Sequence, residues 1–211
     1  MSAHCGDGIK YEIVQRVTDH FRADPAVTAM ITINGVRGEQ SLESVSGTVE
    51  TQAFDAPVSL SSVSGEVTVA GNGGKAVVST ESVSGTITAN GIRGSFEGEV
   101  VSGSIDATVV AAERLNVSTV SGDIQIHADL VPTARVTMES ISGTITMAVK
   151  PPVNADFDLE SFSGDIENCF GQKARDTSKY TPGSELSFTQ GNGGARVEIQ
   201  TLSGEISICD H

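Results

Sequence analysis

Tryptophan is absent from these 211 residues, and two Tyr and seven Phe make up the whole aromatic complement. A large central core usually takes several rings, each hiding about 150–250 Å². This chain must therefore fill a thin interior with Val, Ile, Leu and Ala. Positive charge is scarce as well: 13 Lys and Arg against 27 Asp and Glu leave a net charge of −14. No Lys/Arg cluster occurs along the sequence, which argues against a nucleic-acid partner and against docking on anionic lipid. No apolar run approaches the ~18 residues of a spanning helix, so no membrane span is expected. The opening MSAHCGDG lacks the apolar stretch of a secretory signal, so none is expected within this chain. The length fits one domain.

Glycine, by contrast, is plentiful, and much of it is periodic. Ser-Gly recurs at Ser46-Gly47, Ser64-Gly65, Ser84-Gly85, Ser102-Gly103, Ser121-Gly122, Ser142-Gly143, Ser163-Gly164 and Ser203-Gly204. Successive glycines of these pairs lie 18, 20, 18, 19, 21, 21 and 40 residues apart, the last interval being one period plus about one more. Self-similarity at such a period is the mark of a repeat architecture.

With each Gly as position zero, position −2 is Val45, Val63, Val83, Val101, Val120, Ile141, Phe162 and Leu202, and position +2 is Val49, Val67, Ile87, Ile105, Ile124, Ile145, Ile166 and Ile206. Both columns are apolar throughout, with polar residues between them, so −2 to +4 reads as a strand with one buried face that the Gly shares. An earlier pair of columns, −7 (Val58, Val78, Phe96, Leu115, Val136, Phe157, Val197) and −5 (mostly Leu, Val, Ile and Met), lies out of phase with the first. A corner at −4/−3 would let both short strands face inward from different walls.

The same phase returns in every repeat, whereas an antiparallel sandwich would invert it. The expected fold is all-β: a single-domain parallel β-solenoid of about 9–10 coils with an 18–21-residue period. Residues 1–25 are expected to form an N-terminal capping segment and 26–211 the repeat domain. Ile9 to Val17 is compatible with strand or capping helix, its β-branched content favouring strand. A polar insertion at 170–190 is expected to cover the last coil, whose open edge would otherwise template aggregation.

The segments SLESVSGTVE, VSTESVSGTITANGIRG and VSTVSGDIQI, with the stretch from SFSGDIENCFG to TLSGEISIC, resemble a bacterial adhesin family of Ser-Gly β-strand repeats, a domain of unknown function. The resemblance runs from about Ala26 to Cys209. It implies a β-solenoid associated with the cell envelope and no established enzymatic activity. The adhesin label is itself an analogy, and fold does not define function.

Chemistry-bearing residues point the same way. Position −4 carries Glu43, Glu81, Glu99, Glu139 and Glu160, with Glu81/Glu99 and Glu139/Glu160 expected in adjacent coils. Stacked carboxylates invite a calcium ion, yet no aspartate-rich calcium loop accompanies them. A glycosidase pair would also need a cleft and one raised pKa. The repeated serines have no recurring base, since His4, His20, His127 and His211 do not follow them. Gly71-Asn72-Gly73-Gly74 and Gly191-Asn192-Gly193-Gly194 lack the helix and Lys-Ser/Thr of a phosphate loop and read as turns. His4 and Cys5 are too few to hold a metal. No catalytic, cofactor or metal residues are therefore assigned.

Cys169 and Cys209 both stand five residues after a repeat glycine, in one column of the last two coils. Stacked coils place such Cα atoms about 4.8 Å apart, within disulfide reach. A Cys169–Cys209 bridge is expected, pinning a C-terminal coil that has a single neighbour. It would fit a periplasmic, cell-surface or secreted protein better than a cytoplasmic one. The sequence thus suggests a non-enzymatic envelope solenoid whose acidic Ser/Thr-rich walls meet a protein or polysaccharide surface. Self-association into a scaffold is the alternative, and a polysaccharide-active β-helix enzyme ranks third.

Overall fold

A computed structural model describes residues 30–176 and 183–210 together with three strand segments upstream, 2–3, 11–14 and 21–26. Among the described residues there is no helix. The strands are β1 (Ser2–Ala3), β2 (Tyr11–Val14), β3 (Phe21–Ala26), β4 (Ile31–Asn34), β5 (Gln40–Ser46), β6 (Val49–Ala53), β7 (Val58–Gly71) and β8 (Ala76–Ser121). They continue as β9 (Ile124–Ser142), β10 (Ile145–Val149), β11 (Ala155–Ser163), β12 (Ile166–Asn168), β13 (Arg175–Asp176), β14 (Ser184–Gln190), β15 (Ala195–Ser203) and β16 (Ile206–Asp210). Strand occupies part of the segment that was open to strand or helix, at Tyr11–Val14; the rest of that stretch, like most of residues 1–25, lies outside the described residues.

The sheet is mostly parallel, and it pairs like with like: Val58 with Val78, Ile105 with Ile124, Val136 with Val197. The chain is thus β-solenoid-like, its coils closing on a narrow core of aliphatic columns. Positions −7 and −5 are buried, as in Val78, Leu115, Val117 and Met138, and so is every residue of the +2 column. Where −7 is Gln40 instead, its amide donates to the Val36 and Gln52 carbonyls and its carbonyl accepts from the Thr51 hydroxyl, so a buried polar side chain is fully partnered.

The corner lies elsewhere than expected. Alternation from −7 and −5 runs on through −3, so Ser62, Ser82, Thr119, Ser140 and Thr201 point inward, while −2 and −1 both face out. The turn is made at the glycine. Gly85 and Gly103 sit at φ 149° and 146°, and a Cβ on Gly103 would overlap the Gly85 carbonyl oxygen. The glycine thus makes room for the next coil's backbone, not for a neighbouring side chain. The inward −3 position is Ser or Thr in most coils and Val100 in one, so the outward facing of −2 follows from strand alternation and not from side-chain size.

A second correction concerns the order of the coils. Along the sheet the strands run β1-β3-β5-β7-β8-β9-β15-β11-β14-β13. The last segment of the chain is inserted between two earlier ones: Ile206 pairs with Ile145 on one side and Ile166 on the other, and Val197 with Val136 and Phe157. The C-terminal coil therefore has two neighbours, and the outermost described coil is the one built from β11 and β12. The link from Val149 to Ala155, with its cis Pro151-Pro152 bond, climbs two rungs, about 9.6 Å, instead of one. The insertion covers that outer coil: β14 lies antiparallel on β11, and β13 on β14. Three of the few rings close the end, with Phe157 stacked on Phe188 at 4.8 Å and on Phe170 at 5.6 Å.

Candidate functional site

Because the corner falls at the glycine, the −2 column becomes surface. Val45, Val63, Val83, Val101, Val120, Ile141, Leu202 and Phe162 are 39–62% exposed. Eight rungs spaced at about 4.8 Å make this an aliphatic stripe about 34 Å long. Exposed residues of this size are ordinary when scattered. Here the fold collects eight of the eleven large exposed hydrophobics of the described residues in one line.

Two residues back along each strand, and so on the same outward face, stand Glu43, Ser61, Glu81, Glu99, Ser118, Glu139, Gln200 and Glu160. The two columns flank a shallow groove of about 630 Å³ that runs from Ser61 to Glu160 across the coils. Glu81 and Glu99 are neighbours, since their glycines Gly85 and Gly103 are in contact. Glu139 and Glu160 are not: Gln200 pairs with both and separates them, a consequence of the inserted coil. Among the described residues no group of three His, Cys, Asp or Glu is arranged to hold a metal ion.

Other sequence candidates are dispersed. The −1 serines line the outer corner, Ser64 donating weakly to the Val45 carbonyl at 3.5 Å. His127 lies on the following wall, in register with Thr108 and Ala148, away from that corner. His4, Cys5, His20 and His211 lie outside the described residues. Residues 72–74, just past the end of β7 at Gly71, and 191–194 connect strands as turns. Cys169 and Cys209 form a disulfide with Cα atoms 4.8 Å apart, tying the outermost coil to the inserted one.

The wall offers aliphatic surface beside carboxylates. Sequence reasoning placed the aliphatic column inside because hydropathy alone favours it. The parity of the strand from −7 was the signal that would have turned it out.

The family model described as Toastrack DUF4097 matches residues 95–209, more than half of the chain. Neither a curated protein nor a solved structure is significantly similar to it. No helix of the described residues is long and apolar enough to cross a membrane.

Proposed function

The chain belongs to the Toastrack DUF4097 family, and from that premise we propose that it is a non-enzymatic binding module of the cell envelope. In this reading it is a rod of nine to ten coils with an 18–21-residue period, adhesin-like in use, whose groove takes an extended segment of a partner protein. The observation that carries the reading is the exposed aliphatic stripe alongside the carboxylate column. A contiguous apolar patch of that length on a monomer marks an interaction surface, and a linear groove suits a linear ligand.

Charge selects the partner. Glu81, Glu99, Glu139 and Glu160 beside the stripe, on a chain of net charge −14, favour a segment that alternates aliphatic residues with Lys or Arg. The same charge disfavours two copies meeting groove to groove. A neutral polysaccharide fits the groove less well, because Phe162 is the one ring in it. The disulfide supports an oxidising location, in the periplasm, at the cell surface or in the secreted fraction. A self-assembling scaffold is the second reading, favoured by β12, whose outer edge has no partner among the described residues.

The test is binding of a labelled peptide of alternating Lys and Val. Val101→Asp with Val120→Asp should weaken it at least about tenfold, and Glu81→Gln with Glu99→Gln should flatten its salt dependence. Equal affinity for parent and both variants would end the proposal. Light scattering across a concentration series separates the scaffold reading, which requires growth into larger species.

A further inference from the structure

The coil at the outer end of the stack is held unequally on its two walls. On the first, β11 lies between two partners, parallel to β15 and antiparallel to β14, with Leu159 opposite Ile199 on one side and Leu186 on the other. On the second, β12 is three residues long, and its ladder partner among the described residues is β16 alone, from Ile166 with Ile206 to Asn168 with Ile208. Ile166 is the least buried residue of the +2 column, 9% exposed where the others are at most 1%. β16 does not depend on β12 for its place, because its other edge pairs with β10 over five residues.

The disulfide sits where this weaker wall ends. Cys169 directly follows β12 and is exposed, whereas Cys209 is half-buried within β16, in register with Ala148 of β10. Beside the bond, the Cys169 amide donates to the Ile208 carbonyl at 3.0 Å, and the Ile206 amide to the Asp165 carbonyl at 3.0 Å. The short segment between is anchored at both ends by other contacts. Ser163 lies in the β11 ladder opposite Ser203, and Phe170 packs on Phe157 and Phe188 with ring centroids 5.6 and 5.7 Å away. Asn168 turns its side chain back on its own segment, accepting from the Phe170 amide at 3.0 Å and donating to the Gln172 carbonyl at 2.8 Å.

We propose that the Cys169–Cys209 bond is a redox latch on β12, and that a dithiol reductant opens residues 165–169 as a loop tethered at Ser163 and Phe170. A thiolate of the reductant attacks the exposed Cys169 sulfur, the Cys169–Cys209 bond breaks, and Cys209 leaves as a thiolate that takes up a proton. The second thiol of the reductant then displaces Cys169, so the reductant departs as its own disulfide and the two cysteines have gained its two electrons. With the bond gone, a ladder of three residues holds the segment. Local openings are drawn from such parts of a fold, those with few paired backbone groups and little buried surface. The opening turns the Ile206–Ile208 edge of β16 to solvent, an edge of the kind that templates further strand pairing. β11, fixed on both sides, stays in place, and so does the groove on the first wall.

Amide hydrogen exchange of the full chain, oxidised and then reduced with excess dithiothreitol, tests the latch. Reduction should speed exchange of the Cys169 and Ile206 amides at least about tenfold, and change that of Leu159 and Ile145 by less than about twofold. The Ile145 amide donates to the Glu205 carbonyl on the other edge of β16, and so reports whether β16 itself has moved. Reoxidation should restore protection. Cys169→Ser should show the fast Ile206 exchange without reductant and no further change with it. Unchanged exchange at Cys169 and Ile206 on reduction would overturn the proposal. Equal acceleration at Leu159 or Ile145 would overturn it as well, since the bond would then support the whole end of the stack.

Discussion

Val101 and Ile105 are four residues apart and alike in chemistry, yet one faces water and the other the core. Gly103 between them explains the difference: its φ of 146° turns the strand, and its missing Cβ admits the carbonyl of Gly85. Gly103→Ala should therefore destabilise the fold by about 3 kcal/mol or more, because the added methyl meets backbone that cannot yield. A melting curve within a degree or two of the parent would refute the glycine stack. Ile105→Asp should unfold the central coils, since an unpaired charge in this core costs several kcal/mol. Val101→Asp should leave thermal stability nearly unchanged. Equal losses from the two would mean that both columns are buried.

The Ser-Gly period, the +2 ladder and the −7 column could all be read from residues alone, because like residues pair with like and burial leaves its mark on composition. The facing of −2 was legible too, from the alternation that runs out from −7, but hydropathy favoured burying it. What no single strand shows is the glycine stack at which the chain turns, a property of neighbouring coils. The carboxylate column was visible, but its order was not.

At the scale of elements the decisive feature is the insertion of β15 and β16. A sequence read in order stacks coils in order, and nothing local marks the place where the chain reverses past Gly191 to Gly194 and threads back. β9 and β11 have no contact through the ladder except by way of β15. A chain ending at Gly194 should therefore lose more than its last coil. Residues 155–176 should become unprotected in hydrogen exchange, having lost their parallel partner. Protection in that region equal to the parent's would place the C-terminal coil at the end of the stack instead. The Cys169–Cys209 bond closes a loop spanning 40 residues around this insertion. Cys169→Ser with Cys209→Ser should cost about 2–4 kcal/mol in denaturant titration, and alkylation of the non-reduced parent should label Cys5 alone. Three labelled thiols would contradict the bond.

As a whole molecule, the chain is an acidic body with one long wall divided by chemistry into parallel stripes. Aliphatic residues run at −2, carboxylates at −4, and a short arginine row at −8 over three rungs. The stripes exist because coils repeat in register, so one residue per coil becomes a line. The aliphatic stripe and its carboxylates together make the groove we propose for an extended cationic partner. Methyl-resolved NMR during titration with the alternating Lys-Val peptide reads that groove residue by residue. Shifts should be confined to Val83, Val101, Val120, Ile141 and Leu202, with the inward Ile105, Ile124 and Val117 unmoved. Shifts spread over the core, or absent from the stripe at saturating peptide, would contradict it.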